Sequence, residues 1–170
     1  MPQVHSVRLT HSAGRASRAP WPGVNCTQSM TLSIHNTCDG INWSDVANLF
    51  KIVGWGDRNP IEIESAFSKS SCVRFVFDSE KLIGFGRTVD DGKYYSMVAD
   101  LIIDPKYQGQ GIGSNLLNEI QESMKGYLFL TLTAAVGKDQ FYEKQNWKKQ
   151  TSAYIWPTSE KQKNDHAKDS

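Results

Sequence analysis

Several things are scarce in this chain, and each shortage narrows what it does. No apolar stretch approaches the ~20 residues that a membrane-spanning helix needs, so no bilayer span is expected. The three cysteines, Cys26, Cys38 and Cys72, are odd in number and lack metal-type spacing. That disfavours a disulfide framework or a zinc site and fits a reducing compartment. The four histidines are scattered, with His5 and His11 near the start and His166 in a polar tail, so no metal centre is expected. Charge is hardly in surplus: the net is +1, which gives neither nucleic acid nor an anionic membrane a reason to bind. Acidic residues are missing altogether before Asp39, while Arg8, Arg15 and Arg18 stand among serines and threonines without the apolar core of a secretory signal. Residues 1–29 therefore read as an organelle transit segment or as a flexible, non-native extension ahead of Met30. Pro20 and Pro22 interrupt any amphipathic helix there and favour the second reading, with the protein cytoplasmic.

What is present is the composition of a globular domain, 39% hydrophobic and 22% charged over 170 residues, a length that favours one domain with a sizeable core. Residues 30–36 alternate as a first strand with Leu32 and Ile34 inward. Asn42 or Ser44 caps a helix through Val46, Ala47, Leu49, Phe50 and Val53, which Gly54 and Gly56 end around Trp55. Asn59-Pro60 opens a second helix over 61–68. Residues 72–77 and 81–88 form a hairpin, and Asp90-Asp91-Gly92-Lys93 turns the chain into a third antiparallel strand, 94–103. A glycine turn and a helix over 111–124 lead to a short parallel strand, 127–133. A helix over 138–145 and a final strand over 153–156 complete the domain, 30–158, and residues 159–170 form a disordered polar tail. The order β-α-α-β-β-β-α-β-α-β describes a mixed α/β sheet with helices on both faces.

The turn carries the chemistry. Gln108-Gly109-Gln110-Gly111-Ile112-Gly113 sits between an apolar strand and a helix, so free backbone N–H groups and the positive helix end converge on one anion site. A nucleoside-triphosphate loop needs Lys-Ser/Thr after its last glycine, and Ile112-Gly113-Ser114 has no lysine. A dinucleotide loop needs G-x-G-x-x-G and an acid about 20 residues on; here the glycines read G-x-G-x-G and the later stretch is 128–133, without an acid. A plain tight turn remains open on these grounds alone.

Gln108-x-x-Gly111-x-Gly113 resembles the Q/R-x-x-G-x-G/A signature of the GNAT acetyltransferases. The likeness extends through Leu101-x-Ile103-x-Pro105-x-Tyr107 before it and Leu116-Leu117 after it. Phe141-Tyr142-Glu143-Lys144-x-x-Trp147 is similar to the family's later F-Y-x-K-x-G-F motif, with Asn146 in place of its glycine. Asn tolerates positive φ better than most residues, so that turn survives. Val53-Gly54-Trp55-x-x-Arg58, Ile83-Gly84-Phe85-Gly86-Arg87 and Asp100-x-x-x-Asp104-Pro105 look like the plastid and cyanobacterial arylalkylamine-type members and their bacterial relatives.

The resemblance implies a mostly antiparallel GNAT sheet with one parallel, splayed strand pair, and acetyl-CoA as co-substrate without a metal. Pantetheine would lie along Leu101, Ile102 and Ile103; the pyrophosphate would sit on Gln108, Gly109, Gln110, Gly111, Ile112, Gly113 and Ser114. Tyr142 matches the family tyrosine that hydrogen-bonds or protonates the leaving sulfur. Asp100 interrupts an apolar run; it either binds the acceptor amine or receives its proton through water, as a catalytic residue, or else pairs with Arg87 or Arg74 across the sheet. Trp55 and Tyr95 are further acceptor-side candidates, Trp43 is expected in the core, and Glu62 and Glu64 are more simply read as solvated. The function so implied is N-acetylation of a primary amine on a small molecule, arylalkylamine or polyamine. A catalytically silent acyl-CoA-binding regulatory module and a protein N-acetyltransferase are the alternatives, and a homodimer is compatible with each.

Overall fold

The computed structural model describes Gly23 and residues 30–167; what was expected of residues 1–29 otherwise lies outside them. The chain falls into two compact units, a larger one ending at Leu132 and a smaller one beginning at Thr133.

The larger unit is a five-stranded sheet in the order β1-β2-β3-β4-β5. Strands β1 (Leu32–His35), β2 (Val73–Asp78), β3 (Lys81–Asp90) and β4 (Tyr95–Ile103) are antiparallel neighbours, and β5 (Phe129–Leu132) runs parallel to β4. Helix α1 (Trp43–Ile52) begins where the Asn42 side chain accepts from the Ser44 N–H, and α2 (Pro60–Phe67) where Asn59 accepts from Ile61, with proline at the first position, which needs no donor. Val46, Leu49 and Phe50 recur at helical spacing and are buried. They pack with Ile63 and Phe67 of α2 onto Phe75, Phe85 and Ile102 of the sheet. Trp43 stands edge-on to Phe67 and Phe75, as expected of a core residue. Helix α3 (Ile112–Ser123) contacts the sheet through Ile112, Leu116, Leu117 and Ile120, all buried.

The two glycines of Ile83-Gly84-Phe85-Gly86 are required by close approach. A Cβ on Gly84 would lie 2.8 Å from the Ile102 carbonyl oxygen and 2.5 Å from Ile103 Cδ1; one on Gly86 would lie 2.5 Å from Ile120 Cδ1 of α3. Phe85 between them faces the opposite way, into the α1–α2 core.

Two irregularities shape β4. Arg87 pairs with Asp100 but Thr88 with Val98, so Ala99 is an extra residue in β4. Pairing with β5 covers Tyr95 to Val98 and stops there. The second edge of β4 is therefore open from the bulge onward.

In the smaller unit, α4 (Asp139–Lys144) and α5 (Glu160–His166) are the only helices among the described residues. Two expectations are corrected here. Residues 153–156 form no strand and leave Tyr154 99% and Trp156 90% exposed. β-Favouring side chains do not make a strand without a partner for the backbone. The described part of the tail, residues 159–167, is mostly exposed, but 160–166 is helical rather than disordered: Ser159 accepts from the Gln162 N–H, and Thr158 donates to the Gln162 side chain.

Candidate functional site

The site begins where β4 ends. Asp104 donates its N–H to the Ile83 carbonyl at 2.8 Å, so by the alternation of an antiparallel pair Ile102 and Asp100 also address β3, whereas Leu101 and Ile103 address the open edge. This refines the pantetheine-binding set. Ile102 is withdrawn from it, because its backbone faces β3 and its side chain, 2% exposed, is part of the core. Gln108 Nε2 donates to the Ile103 carbonyl at 2.9 Å, so that carbonyl is occupied. The Leu101 peptide groups and the Ile103 N–H remain on the open edge.

Asp104 then anchors the turn. The residue is 4% exposed, and its carboxylate accepts from the Lys106 N–H at 2.9 Å and from Lys81 Nζ at 3.0 Å. Burial pushes this carboxyl up, but the Lys106 N–H and the Lys81 ammonium outweigh it and hold the group below the usual carboxylate range. Tyr107 lies under the Lys81 ammonium and donates its hydroxyl to Asp78.

The glycine turn itself is open. Gln108 is a staple rather than an anion donor, since its N–H reaches the Pro105 carbonyl and its side chain holds Ile103. Gly109 and Gly111 adopt φ of 76° and 86°, the left-handed region that aims successive N–H groups to one side. Gly111 is the N-cap of α3; it supplies no side-chain cap, and the first turn contains no acid. The backbone N–H groups of Gly109, Gln110, Gly111, Ile112 and Gly113 meet no acceptor among the described residues. Ser114 lies in the same first turn, half-buried. Gln110 Oε1 is buried beside them without a donor. An uncapped helix start with unspent donors suits a pyrophosphate.

Of the two readings of Asp100, the cross-strand ion pair with Arg87 is the one found. The residue is 4% exposed, and its Oδ2 accepts from Arg87 Nε at 2.5 Å, its cross-strand neighbour. Arg58 Nη1 lies 3.9 Å from Oδ1. With two guanidinium partners the carboxylate has no unmet need for a substrate ammonium. Arg74 is not among them: it joins β2 to Glu119 and Ser123 of α3.

Trp55 does gather with this group. Its ring is 6.1 Å from that of Phe50, whose face carries the Arg58 guanidinium at 3.8 Å. Tyr95 does not. It is 59% exposed against Phe129, at the β5-paired end of β4, and the strand rise puts it about 16 Å from Asp100. Glu62 and Glu64 are exposed, as expected.

Tyr142 lies on α4 in the smaller unit, half-buried, with Phe141 edge-on at 5.0 Å. Burial pushes its phenol up from the ordinary tyrosine value, and no hydrogen bond engages its hydroxyl among the described residues. Such a group stays protonated and has its proton to give. After α4, Asn146 adopts φ 65°, and the N–H of Trp147 returns to the Tyr142 carbonyl, so the asparagine fills the role of the family's glycine. Arg58 as a neighbour of Asp100 was missed as a site residue, although its motif had been singled out; contact across 42 positions leaves no local signal.

Residues 70–149 match the acetyltransferase (GNAT) domain family. An uncharacterized ycf52-like N-acetyltransferase of Prochlorococcus marinus is 30% identical over 109 residues, 61% of this chain and 61% of that protein. The chloroplastic GCN5-related N-acetyltransferase 1 of Arabidopsis thaliana is 25% identical, over 58% of this chain and 51% of its own length. The chain thus spans between half and two thirds of these curated relatives. A GNAT-family acetyltransferase structure from Streptococcus pneumoniae superposes with a TM-score of 0.65 at 29% identity, over 76% of this chain and all of that one. Residues 70–149, with the bulged strand, the open glycine turn and α3, thus carry a GNAT-family N-acetyltransferase domain, of the kind that draws its acetyl group from acetyl-CoA.

Proposed function

We propose that residues 30–158 transfer the acetyl group of acetyl-CoA directly to a primary amine of a small molecule, with arylalkylamines and polyamines the first classes to test. The observation that carries this reading is the open edge of β4 running into the unspent N–H groups of 109–113. The Leu101 peptide and the Ile103 N–H hold the pantetheine amides, and the helix start holds the pyrophosphate. The neutral amine attacks the thioester carbonyl and forms the C–N bond as the C–S bond breaks. Tyr142 protonates the departing thiolate, and the amine's surplus proton leaves to water. Asp100 orients Arg87 and Arg58 rather than reacting. A homodimer is compatible with this reading. The chloroplastic relative favours a plastid over the cytoplasm as the place of action.

An amine panel followed by CoA thiol release tests the proposal. Release that depends on a small amine supports it. Tight acetyl-CoA binding without release from any amine would point instead to the regulatory module, and release only with polypeptide acceptors to a protein acetyltransferase.

A further inference from the structure

The loop between α1 and α2 carries a cation that acetyl transfer does not use. Arg58 is held from two sides: its guanidinium stacks on Phe50 at 3.8 Å, and one Nη lies 3.9 Å from Asp100. Neither contact consumes its hydrogen-bond donors. The Asp100 separation exceeds hydrogen-bonding distance, and that carboxylate is claimed by Arg87 at 2.5 Å. The three side chains differ sharply in access: Arg58 is 40% exposed, Arg87 15% and Asp100 5%. Two cations face one anion, so the cluster keeps an excess positive charge on its solvent side. No second acid among the described residues pairs with Arg58; Asp57 beside it is engaged by Lys51 at 3.1 Å. Trp55, 39% exposed, packs on the same Phe50 ring.

The position matters as much as the charge. Asp100 directly precedes Leu101, the first residue whose peptide groups face the open edge of β4. Resting on the acetyl-transfer reading, we propose that Arg58 is a specificity-determining residue that binds an anionic group, carboxylate or phosphate, on the acceptor amine. A planar fork already oriented by a ring face and a carboxylate suits bidentate capture of such an oxyanion. The exposed Trp55 ring offers the acceptor's carbon frame a surface alongside it. The same excess charge repels a polycation, so of the two acceptor classes named above the Arg58 assignment favours arylalkylamines over polyamines.

The test uses the full chain, saturating acetyl-CoA and amines matched in pairs: tyramine against tyrosine for a carboxylate, ethanolamine against phosphoethanolamine for a phosphate, with spermidine as the polycation. In at least one pair the anionic member should have the higher kcat/KM by about 10–100-fold, expressed in KM, as one charged hydrogen-bonding contact supplies. Arg58→Met should collapse that ratio towards unity, Arg58→Lys should retain part of it, and added salt should shrink it. Equal kcat/KM within both pairs, preference for spermidine, or a ratio unchanged in Arg58→Met overturns the assignment and leaves acetyl transfer standing. If no amine releases CoA, the acetyl-transfer reading falls, and the Arg58 assignment with it.

Discussion

Tyr142 and Asp100 are the two polar side chains for which the sequence suggests a part in the chemistry, and their surroundings separate them. The Tyr142 hydroxyl has its pKa raised by burial and meets no partner among the described residues. If it is the acid, Tyr142→Phe should lower kcat by about 10²–10⁴-fold, the usual range for general acid catalysis, while the KM for acetyl-CoA stays nearly constant. An unchanged kcat removes it from the mechanism. The direction of its shift also fixes a pH limb. The alkaline loss of rate in the wild type should fall above ~10, the ordinary tyrosine value, and should be absent from the residual activity of Tyr142→Phe. Asn146 makes a separate point about backbone: at φ 65°, Asn146→Gly should be neutral or stabilising. Asn146→Val should cost about 1–2 kcal/mol, the penalty of a β-branched residue in the left-handed region, read by chemical denaturation.

Elements impose their own tolerances. Strand β3 lies so close to its neighbours that the obstacle to a Cβ differs between its two glycines. At Gly84 the obstacles include the Ile102 carbonyl, which is backbone and cannot turn aside; at Gly86 the closest is the tip of Ile120. Gly84→Ala should therefore destabilise by about 1–3 kcal/mol, typical of overpacking, and Gly86→Ala by less, as thermal or urea unfolding would show. The start of α3 answers to a different constraint. Gly113→Val places bulk where the turn's N–H groups converge, so the KM for acetyl-CoA should rise sharply with little change in kcat or stability; unaltered affinity would remove the turn from cofactor binding.

At the scale of the whole molecule, two half- or fully buried carboxylates tie segments distant in sequence. Asp90 accepts from Ser71, Thr88, Tyr127 and the Gly92 N–H, and Asp104 from Lys81 and the Lys106 N–H. Burial pushes each up and the donors more than reverse it, so both titrate below the usual carboxylate range. The sign follows: their stabilisation is complete above the unfolded value of ~3.9 and is lost as pH falls through the lower folded values. Denaturation melts should hold steady down to about pH 4 and weaken below it. Asp90→Asn with Asp104→Asn should lower stability at neutral pH and flatten that acid slope. How much of all this could be read beforehand depended on range. The caps at Asn42 and Asn59, the helical spacing of Val46, Leu49 and Phe50, and the positive-φ Asn146 are local devices, and each appeared where the residues placed it. The glycine turn was legible for the same reason, since an open helix start is built from consecutive peptides. The bulge at Ala99, the turning of Ile102 into the core, the closing of Arg87 onto Asp100 and the unpaired 153–156 segment were decided only by the folded chain. Register, burial and ion pairing depend on partners tens of residues away, and no local pattern records which partner wins.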